Sequence, residues 1–196
     1  SKILITTSSF GKVDVGQLNK LKKSGFEIVM NPYGRKVTPE ELRELLPGVI
    51  GLLAGTEKID RETMKNSNLK VISRVGVGMD GIDFEAAKEL GIIVRNTPNA
   101  PTIAVAELTL GALLGLLRQI PQMNQDLHNK IWDKKMGNQL VGKTVLIIGF
   151  GRIGRYLAKL LKSFDVNLLA VDPALSGTVD NVPIVSLKQG LSQADI

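Results

Sequence analysis

Five residues suited to a strand, Thr144-Val145-Leu146-Ile147-Ile148, lead without interruption into Gly149-Phe150-Gly151-Arg152-Ile153-Gly154, and no other junction constrains the fold of this chain as much. The run has the length and β-branched content of a buried strand. Downstream, Ile153, Leu157, Leu160, Leu161 and Phe164 recur at helical spacing while Arg152, Arg155, Lys159 and Lys162 fall on the opposite face, so the glycines open an amphipathic helix. A second apolar run, Asn167-Leu168-Leu169-Ala170-Val171, ends at Asp172, 23 residues beyond Gly149. Strand, glycine corner, helix and an acid-tipped second strand together form the pattern of a dinucleotide-binding βαβ unit.

Each position in that pattern has a physical requirement. Gly149 permits the tight turn, Gly151 lets the backbone approach a pyrophosphate with no Cβ in the way, and Gly154 lets the helix pack close to the strand. The helix N-terminus offers unpaired N–H groups and a partial positive charge to phosphates. Asp172 can accept hydrogen bonds from both hydroxyls of an adenosine ribose, and it would repel a 2′-phosphate. Pro173-Ala174-Leu175 follow it and supply no arginine to neutralise that phosphate, so the pattern favours NAD over NADP. The alternative is that the glycines only make a tight strand-to-helix turn in some other α/β fold.

The first hundred residues alternate short apolar runs with amphipathic stretches, as repeated βα units around a parallel sheet do. Strands are predicted at 3–6, 27–30, 49–53, 71–75 and 92–95. Between the second and third, Thr38-Pro39-Glu40-Glu41 places a threonine at the N-cap, proline at the first helical position and glutamate three residues after the cap, which is a capping box. Gly48 ends that helix, and Val49-Ile50-Gly51-Leu52-Leu53 returns as an almost wholly apolar strand, as expected when both faces of a sheet are covered.

Asn96-Thr97-Pro98-Asn99-Ala100-Pro101 is turn-rich and reads as a crossover between two domains, residues 1–98 and 99–196. The helix predicted from Thr102 to about Leu117 is apolar almost all round, so it is expected to be enclosed by a second domain or a second subunit. Pro121 disfavours its continuation, and residues 122–140 are polar and helix-compatible.

Charge and composition exclude several functions. The net charge of +6 is spread evenly: residues 1–98 hold 15 Lys and Arg against 12 Asp and Glu, and residues 99–196 hold 10 against 7. Without a basic block or aromatic-interleaved stripe, that charge reads as a solvated surface, and no nucleic-acid partner is expected. The absence of cysteine excludes disulfides, thiolate metal sites and cysteine nucleophiles, and no metal is expected. The most apolar stretch, 103–117, is shorter than a bilayer span and contains Glu107, and the start of the chain lacks an apolar signal core. Neither a membrane partner nor export is expected, and a cytoplasmic location is the default.

Ser73-Arg74-Val75-Gly76-Val77-Gly78-Met79-Asp80-Gly81-Ile82-Asp83, Gly91-Ile92-Ile93-Val94-Arg95-Asn96-Thr97-Pro98, Val105-Ala106-Glu107 and the glycine fingerprint stand in the order of one family. Over about residues 69–195 the chain resembles the D-isomer-specific 2-hydroxyacid dehydrogenases, and within them the phosphoglycerate dehydrogenases are the nearest group. The resemblance implies an α/β enzyme with a flavodoxin-like substrate domain followed by a Rossmann NAD-binding domain, both built on parallel sheets. It implies that Gly76, Val77 and Gly78 present backbone N–H groups to a substrate carboxylate, with Val77 also near the nicotinamide. Small residues suit that task, because successive amides can hold a carboxylate only when side chains stay clear. Carried over residue by residue, Arg152 and Ile153 meet the pyrophosphate through their amides, Asp172 holds the ribose, and Thr102 faces the cofactor. The region 102–140 matches the family's dimerisation region, so a homodimer is expected.

Two departures accompany the resemblance. The family's catalytic Arg, Glu and His would all fall beyond Ile196, so the Rossmann domain is expected to be partial here and the segment that returns to complete the first domain to be missing, and these 196 residues are expected to lack turnover. His128 lies in the polar stretch and is assigned a surface or interface role. Some phosphoglycerate dehydrogenases carry an arginine just after the third strand, where this chain has Leu53-Ala54-Gly55-Thr56-Glu57-Lys58; a phosphate bound there would need Lys58 or another group. Glycerate, a glyoxylate-derived acid or a branched 2-hydroxy acid are the other substrates considered. A non-catalytic, NAD-responsive interaction protein of the same fold is the rival reading.

Overall fold

A computed structural model describes residues 1–196, which divide into two compact units, Ser1–Ala100 and Pro101–Ile196. The first unit strings together β1 (Lys2–Ile5), α1 (Gly16–Lys23), β2 (Glu27–Met30), α2 (Pro39–Leu45), β3 (Val49–Ala54), α3 (Arg61–Lys65), β4 (Val71–Arg74), α4 (Phe84–Glu89) and β5 (Ile93–Asn96). The five strands are parallel, in the order β2-β1-β3-β4-β5, which is the flavodoxin-like arrangement.

The core of this unit lies between one face of the sheet, through Leu4, Leu52 and Ile72, and helices α2, α3 and α4, through Leu42, Met64, Ala86 and Ala87. Helix α2 starts where its capping box dictates: Thr38 N donates to Glu41 Oε2 at 2.9 Å, and Glu41 N donates to Thr38 Oγ1 at 3.3 Å. Asp60 and Asp83 cap α3 and α4 in one direction only, their carboxylates accepting from Thr63 N and Ala86 N. The opposite face of the sheet, which carries Ile3, Gly51, Val71 and Ile93 side by side, is less covered than the apolar third strand suggests, for Ile93 is 54% exposed and no side chain of α1 is buried.

The second unit contains α5 (Thr102–Leu117), α6 (Ile120–His128), β6 (Thr144–Ile148), α7 (Arg152–Leu161) with a 3-10 turn at Lys162–Phe164, β7 (Asn167–Val171), β8 (Thr178–Val179), β9 (Val182–Pro183) and α8 (Leu187–Gln193). Strands β6 and β7 pair in parallel over five residues. Beyond β7, Ile184 bridges Ala170 in parallel and Val185 N donates to Ala170 O; beyond β6, Ile196 N donates to Thr144 O and Leu146 N to Ile196 O. In space the order is therefore 184–185, β7, β6, 195–196, which is the 3-2-1-4 sequence of a Rossmann sheet with its reversal beside β6.

Within the chain only one face of helix α5 is covered: Leu110, Leu113, Leu114 and Leu117 pack on the second core, while Leu108 and Leu116 are 72% and 71% exposed. The polar stretch after it is helical only as far as His128. Residues 131–140 are held instead by contacts distant in sequence, with Asn138 N donating to Leu117 O and Gln119 Nε2 to Met136 O. Pro121 sits in the first turn of α6, Gln119 ahead of it is left-handed (φ 53°), and the two helices meet at 66°. No single helix is long and apolar enough to cross a membrane.

Candidate functional site: a glycine corner and the loop after the fourth strand

At the carboxyl end of β6 the chain turns through Gly149, whose φ of +95° is a conformation that side-chain-bearing residues rarely adopt. Phe150 then plunges into the core, wholly buried. Gly151 is the N-cap of α7, in extended backbone, and a Cβ built on it would meet no atom within 4 Å. Gly154, one turn on, is the reverse case, since a Cβ there would stand 3.2 Å from the Gly149 carbonyl carbon and nearer still to its oxygen. One glycine leaves room in front of the helix, and the other lets the helix seat against the strand.

The first intrahelical bond of α7 runs from Arg155 N to Gly151 O, so the amides of Arg152, Ile153 and Gly154 precede the hydrogen-bonded ladder, and no side chain caps them. These N–H groups carry the positive end of a ten-residue helix dipole into the open space at Gly151.

Asp172, one residue past the end of β7, lies beside this corner. Its Oδ2 accepts from Phe150 N at 3.0 Å and its Oδ1 from Ala174 N at 3.0 Å. A carboxylate has about four acceptor positions, so each oxygen keeps one free while the group is held in a fixed orientation. The acid thus does two things: it ties the glycine corner to the neighbouring strand, and it presents the remaining lone pairs at the tip of that strand. A hollow next to it is lined by Val171, Pro173, Leu175, Ile184 and Val185. Thr102, the first residue of α5, is half-buried, and its hydroxyl has no hydrogen-bond partner in the chain. The glycine corner, the free amides and the oriented carboxylate fit a dinucleotide diphosphate and its ribose.

In the first unit the loop after β4 is shaped by residues that the sequence pattern did not single out. The resemblance assigned the N–H groups of Gly76, Val77 and Gly78 to a carboxylate, but Gly76 N is already engaged, donating to Thr97 Oγ1 at 2.8 Å and to Arg74 O at 3.0 Å. Thr97 N closes the arrangement by donating to Gly76 O at 3.1 Å, and Asn96 Nδ2 donates to Val77 O at 2.9 Å. The amides of Val77 and Gly78 have no acceptor in the chain, and both residues are exposed. Gly76 is required by its backbone, whose φ of +148° residues with side chains rarely adopt, and Arg74 folds back across it to donate to Val75 O. Asn96 and Thr97, read in sequence as turn formers, are the clamps of the loop.

Beside this loop, at the carboxyl ends of β1, β3 and β4, lies a second unanticipated group. Glu57 is 3% exposed; its Oε1 accepts from Thr6 Oγ1 and, at 3.0 Å, from Gly55 N. Gly81 passes so close to the Glu57 carbonyl that a Cβ would stand 2.7 Å from its oxygen, and Ile59 N donates to Gly81 O at 2.7 Å, locking the 55–59 and 76–82 loops together. Lys58, the cation suggested from sequence, is exposed and lines neither of the two adjoining hollows; Glu57 and Arg74 line both. His128 is exposed, with Nδ1 2.9 Å from the Asn124 carbonyl of its own helix. No cluster of three potential metal-ligating side chains is present.

Comparison with known proteins agrees with this geometry. The family model for the D-isomer specific 2-hydroxyacid dehydrogenase catalytic domain matches residues 3–190. A D-3-phosphoglycerate dehydrogenase from Methanocaldococcus jannaschii is 46% identical over 142 residues, which cover 70% of this chain and 27% of that protein. A hydroxypyruvate reductase from Thermotoga maritima is 36% identical over 184 residues, covering 89% of this chain and 60% of that one. Among solved structures, the NAD-dependent formate dehydrogenase from Staphylococcus aureus in complex with NAD superimposes with a TM-score of 0.82 at 27% identity, over 100% of this chain and 63% of that one. The chain thus spans less than two thirds of the length of each. With a flavodoxin-like sheet, a 3-2-1-4 sheet and a glycine corner in the family's order, the chain belongs to the D-isomer specific 2-hydroxyacid dehydrogenase family.

Proposed function

We propose that this chain supplies the NAD cradle and the carboxylate-binding loop of an oxidoreductase that transfers a hydride between the nicotinamide and C2 of a small 2-hydroxy acid. The observation that carries the reading is the corner at Gly149–Gly154, open at Gly151 and flanked by an acid already oriented by two backbone amides. Arg152 and Ile153 hold the diphosphate through their amides, and Gly149, Gly151 and Gly154 shape the turn that brings it there. Asp172 takes the ribose hydroxyls, and Thr102 lies on the cofactor side. Val77 and Gly78 N–H groups hold the substrate carboxylate, with Gly76 setting the turn and Val77 also beside the nicotinamide. When bound, NAD supplies the hydride acceptor for the C2–H bond, the hydroxyl proton leaving separately. Neither the cradle nor the loop holds a histidine to exchange that proton, so residues 1–196 alone bind ligands without turnover.

Titration calorimetry with NAD on wild type and Asp172→Ala tests the reading. Losing charge-assisted hydrogen bonds to the ribose weakens binding by about 1.5–3 kcal/mol, or roughly tenfold to a hundredfold. Equal affinities for the two proteins would remove Asp172 from the site and the dinucleotide assignment with it. The exposed apolar surface of region 102–140, which includes Leu108, Leu116, Trp132 and Met136, favours a homodimer through this region. Sedimentation velocity of Leu108→Asp should then show a shift to monomer, and an unchanged sedimentation coefficient would count against that interface.

A further inference from the structure

The order of the first sheet reverses between β1 and β3, and ligands of open parallel sheets bind outside the carboxyl ends of the strands at such a point. Two hollows lie there, sharing Gly55, Thr56, Glu57 and Arg74. One reaches Gly78 and the other Val75, so both adjoin the loop whose free amides belong to Val77 and Gly78.

Glu57 is the unusual member. It is 97% buried by its 3% exposure, yet it takes part in none of the chain's nine ion pairs. Thr6 Oγ1 and Gly55 N both address Oε1, and no donor of the chain addresses Oε2. Oε2 is not among the buried unpartnered atoms, so it opens to solvent where Glu57 lines the hollows, and a carboxylate without a cation there takes its remaining hydrogen bonds from water or from a ligand donor. Arg74, the only cation common to both hollows, is turned back onto Val75 O. Lys36 in one hollow and Asp80 in the other are exposed, so their charges are screened by solvent.

We infer that Glu57 and Arg74 select a substrate whose end remote from the 2-oxo acid carboxylate is uncharged and donates a hydrogen bond, a terminal hydroxyl, and that Glu57 excludes a terminal phosphate or second carboxylate. Arg74 bars a cationic end by the same logic. The inference rests on the proposed function, because the Val77 and Gly78 amides must hold the shared carboxylate for the far end of the acid to fall against Glu57.

The test is steady-state reduction of hydroxypyruvate and 3-phosphohydroxypyruvate by the full-length enzyme with NADH, for wild type, Glu57→Gln and Glu57→Asp. The glutamine keeps an acceptor for Thr6 and Gly55 N while removing the charge. Like charges brought together at a desolvated site discriminate strongly, so kcat/KM of wild type favours hydroxypyruvate by about tenfold or more, and E57Q moves the ratio toward the phosphorylated acid by a similar factor. The aspartate variant retains the wild-type preference. Wild type preferring the phosphorylated acid, which requires no variant to fold, overturns the inference, as does a folded E57Q with an unaltered ratio. Failure of wild type to reduce any 2-oxo acid overturns the proposed function and this inference with it, whereas reduction without discrimination overturns the inference alone.

Discussion

Alanine at Gly151 and alanine at Gly154 are the same chemical change three residues apart, and the geometry separates their consequences. At Gly154 the new methyl would stand 3.2 Å from Ile147 Cγ2 and from the Gly149 carbonyl carbon, and closer to the carbonyl oxygen. The side chain of Ile147 can yield, but the Gly149 carbonyl belongs to a turn at φ +95° and cannot move without displacing α7 from β6. Overpacking of a well-packed core costs typically about 1–3 kcal/mol, and a backbone obstacle places Gly154→Ala near the upper end, about 3 kcal/mol. At Gly151 no atom lies within 4 Å of the added carbon, so the loss is confined to exchanging a favoured N-cap residue for a poor one, about 1 kcal/mol. The methyl does, however, project into the space a diphosphate needs, and NAD binding weakens by about 1.4–2.7 kcal/mol, tenfold to a hundredfold. Urea denaturation followed by circular dichroism, with calorimetric titration of NAD on both variants, reads the two effects. A Gly154→Ala protein as stable as wild type, or a Gly151→Ala protein that binds NAD undiminished, would refute the division of labour between the two glycines.

Thr97→Val removes the hydroxyl that accepts from Gly76 N without changing side-chain volume, and should raise KM for a 2-oxo acid in the full-length enzyme by about tenfold while leaving NAD affinity unchanged. Thr97→Ser restores the wild-type KM if the hydroxyl positions the loop, and a KM that ignores both changes would discard that role. Asp60, the N-cap of α3, is held below its ordinary value of 3.8 chiefly by the Thr63 amide and then by the Thr63 hydroxyl. A depressed folded-state pKa means that its contribution is present above the ordinary carboxylate range and is lost as pH falls through the folded value. Asp60→Asn keeps a competent cap that does not titrate, so the stability difference between wild type and this variant should change from about pH 6 to about pH 2 in the variant's favour; a constant difference would show that the charge contributes nothing.

The elements that could be read from the sequence are those whose signals are local. The capping box at Thr38 and Glu41 formed as its spacing dictates, and all seven longer strands lie within a residue or so of the apolar runs that marked them. Pro121 broke the long helix through the rule that a proline suits a first turn better than an interior. The hairpin of β8 and β9 had a usable signal that went unread: Asp180 and Asn181 between valines, both adopting positive φ, are residue types favoured in a two-residue turn. The end of α6 had none. Residues 131–140 look helix-compatible, and what prevents the helix is the backbone of Leu117 and the side chain of Gln119, which lie outside that segment.

The same distinction separates the two halves of the candidate site. The glycine corner was legible because each of its glycines answers to a requirement set by the corner itself, and the spacing to Asp172 is a property of one βαβ unit. The loop after β4 was legible only as a place. Which of its amides remain free depends on Thr97, 21 residues away, and the charge beside it depends on Glu57 being drawn under Thr6, 51 residues away. Read along the chain, Gly76, Val77 and Gly78 are three equivalent small donors, and Glu57 is an ordinary polar residue next to a lysine. Folding makes Gly76 a structural donor, buries Glu57 and leaves Lys58 in solvent. The glycine corner is thus written locally, whereas the hydrogen bonds of the loop after β4 are written in pairings between strands, and a test of the proposed substrate preference belongs with the partners of that loop.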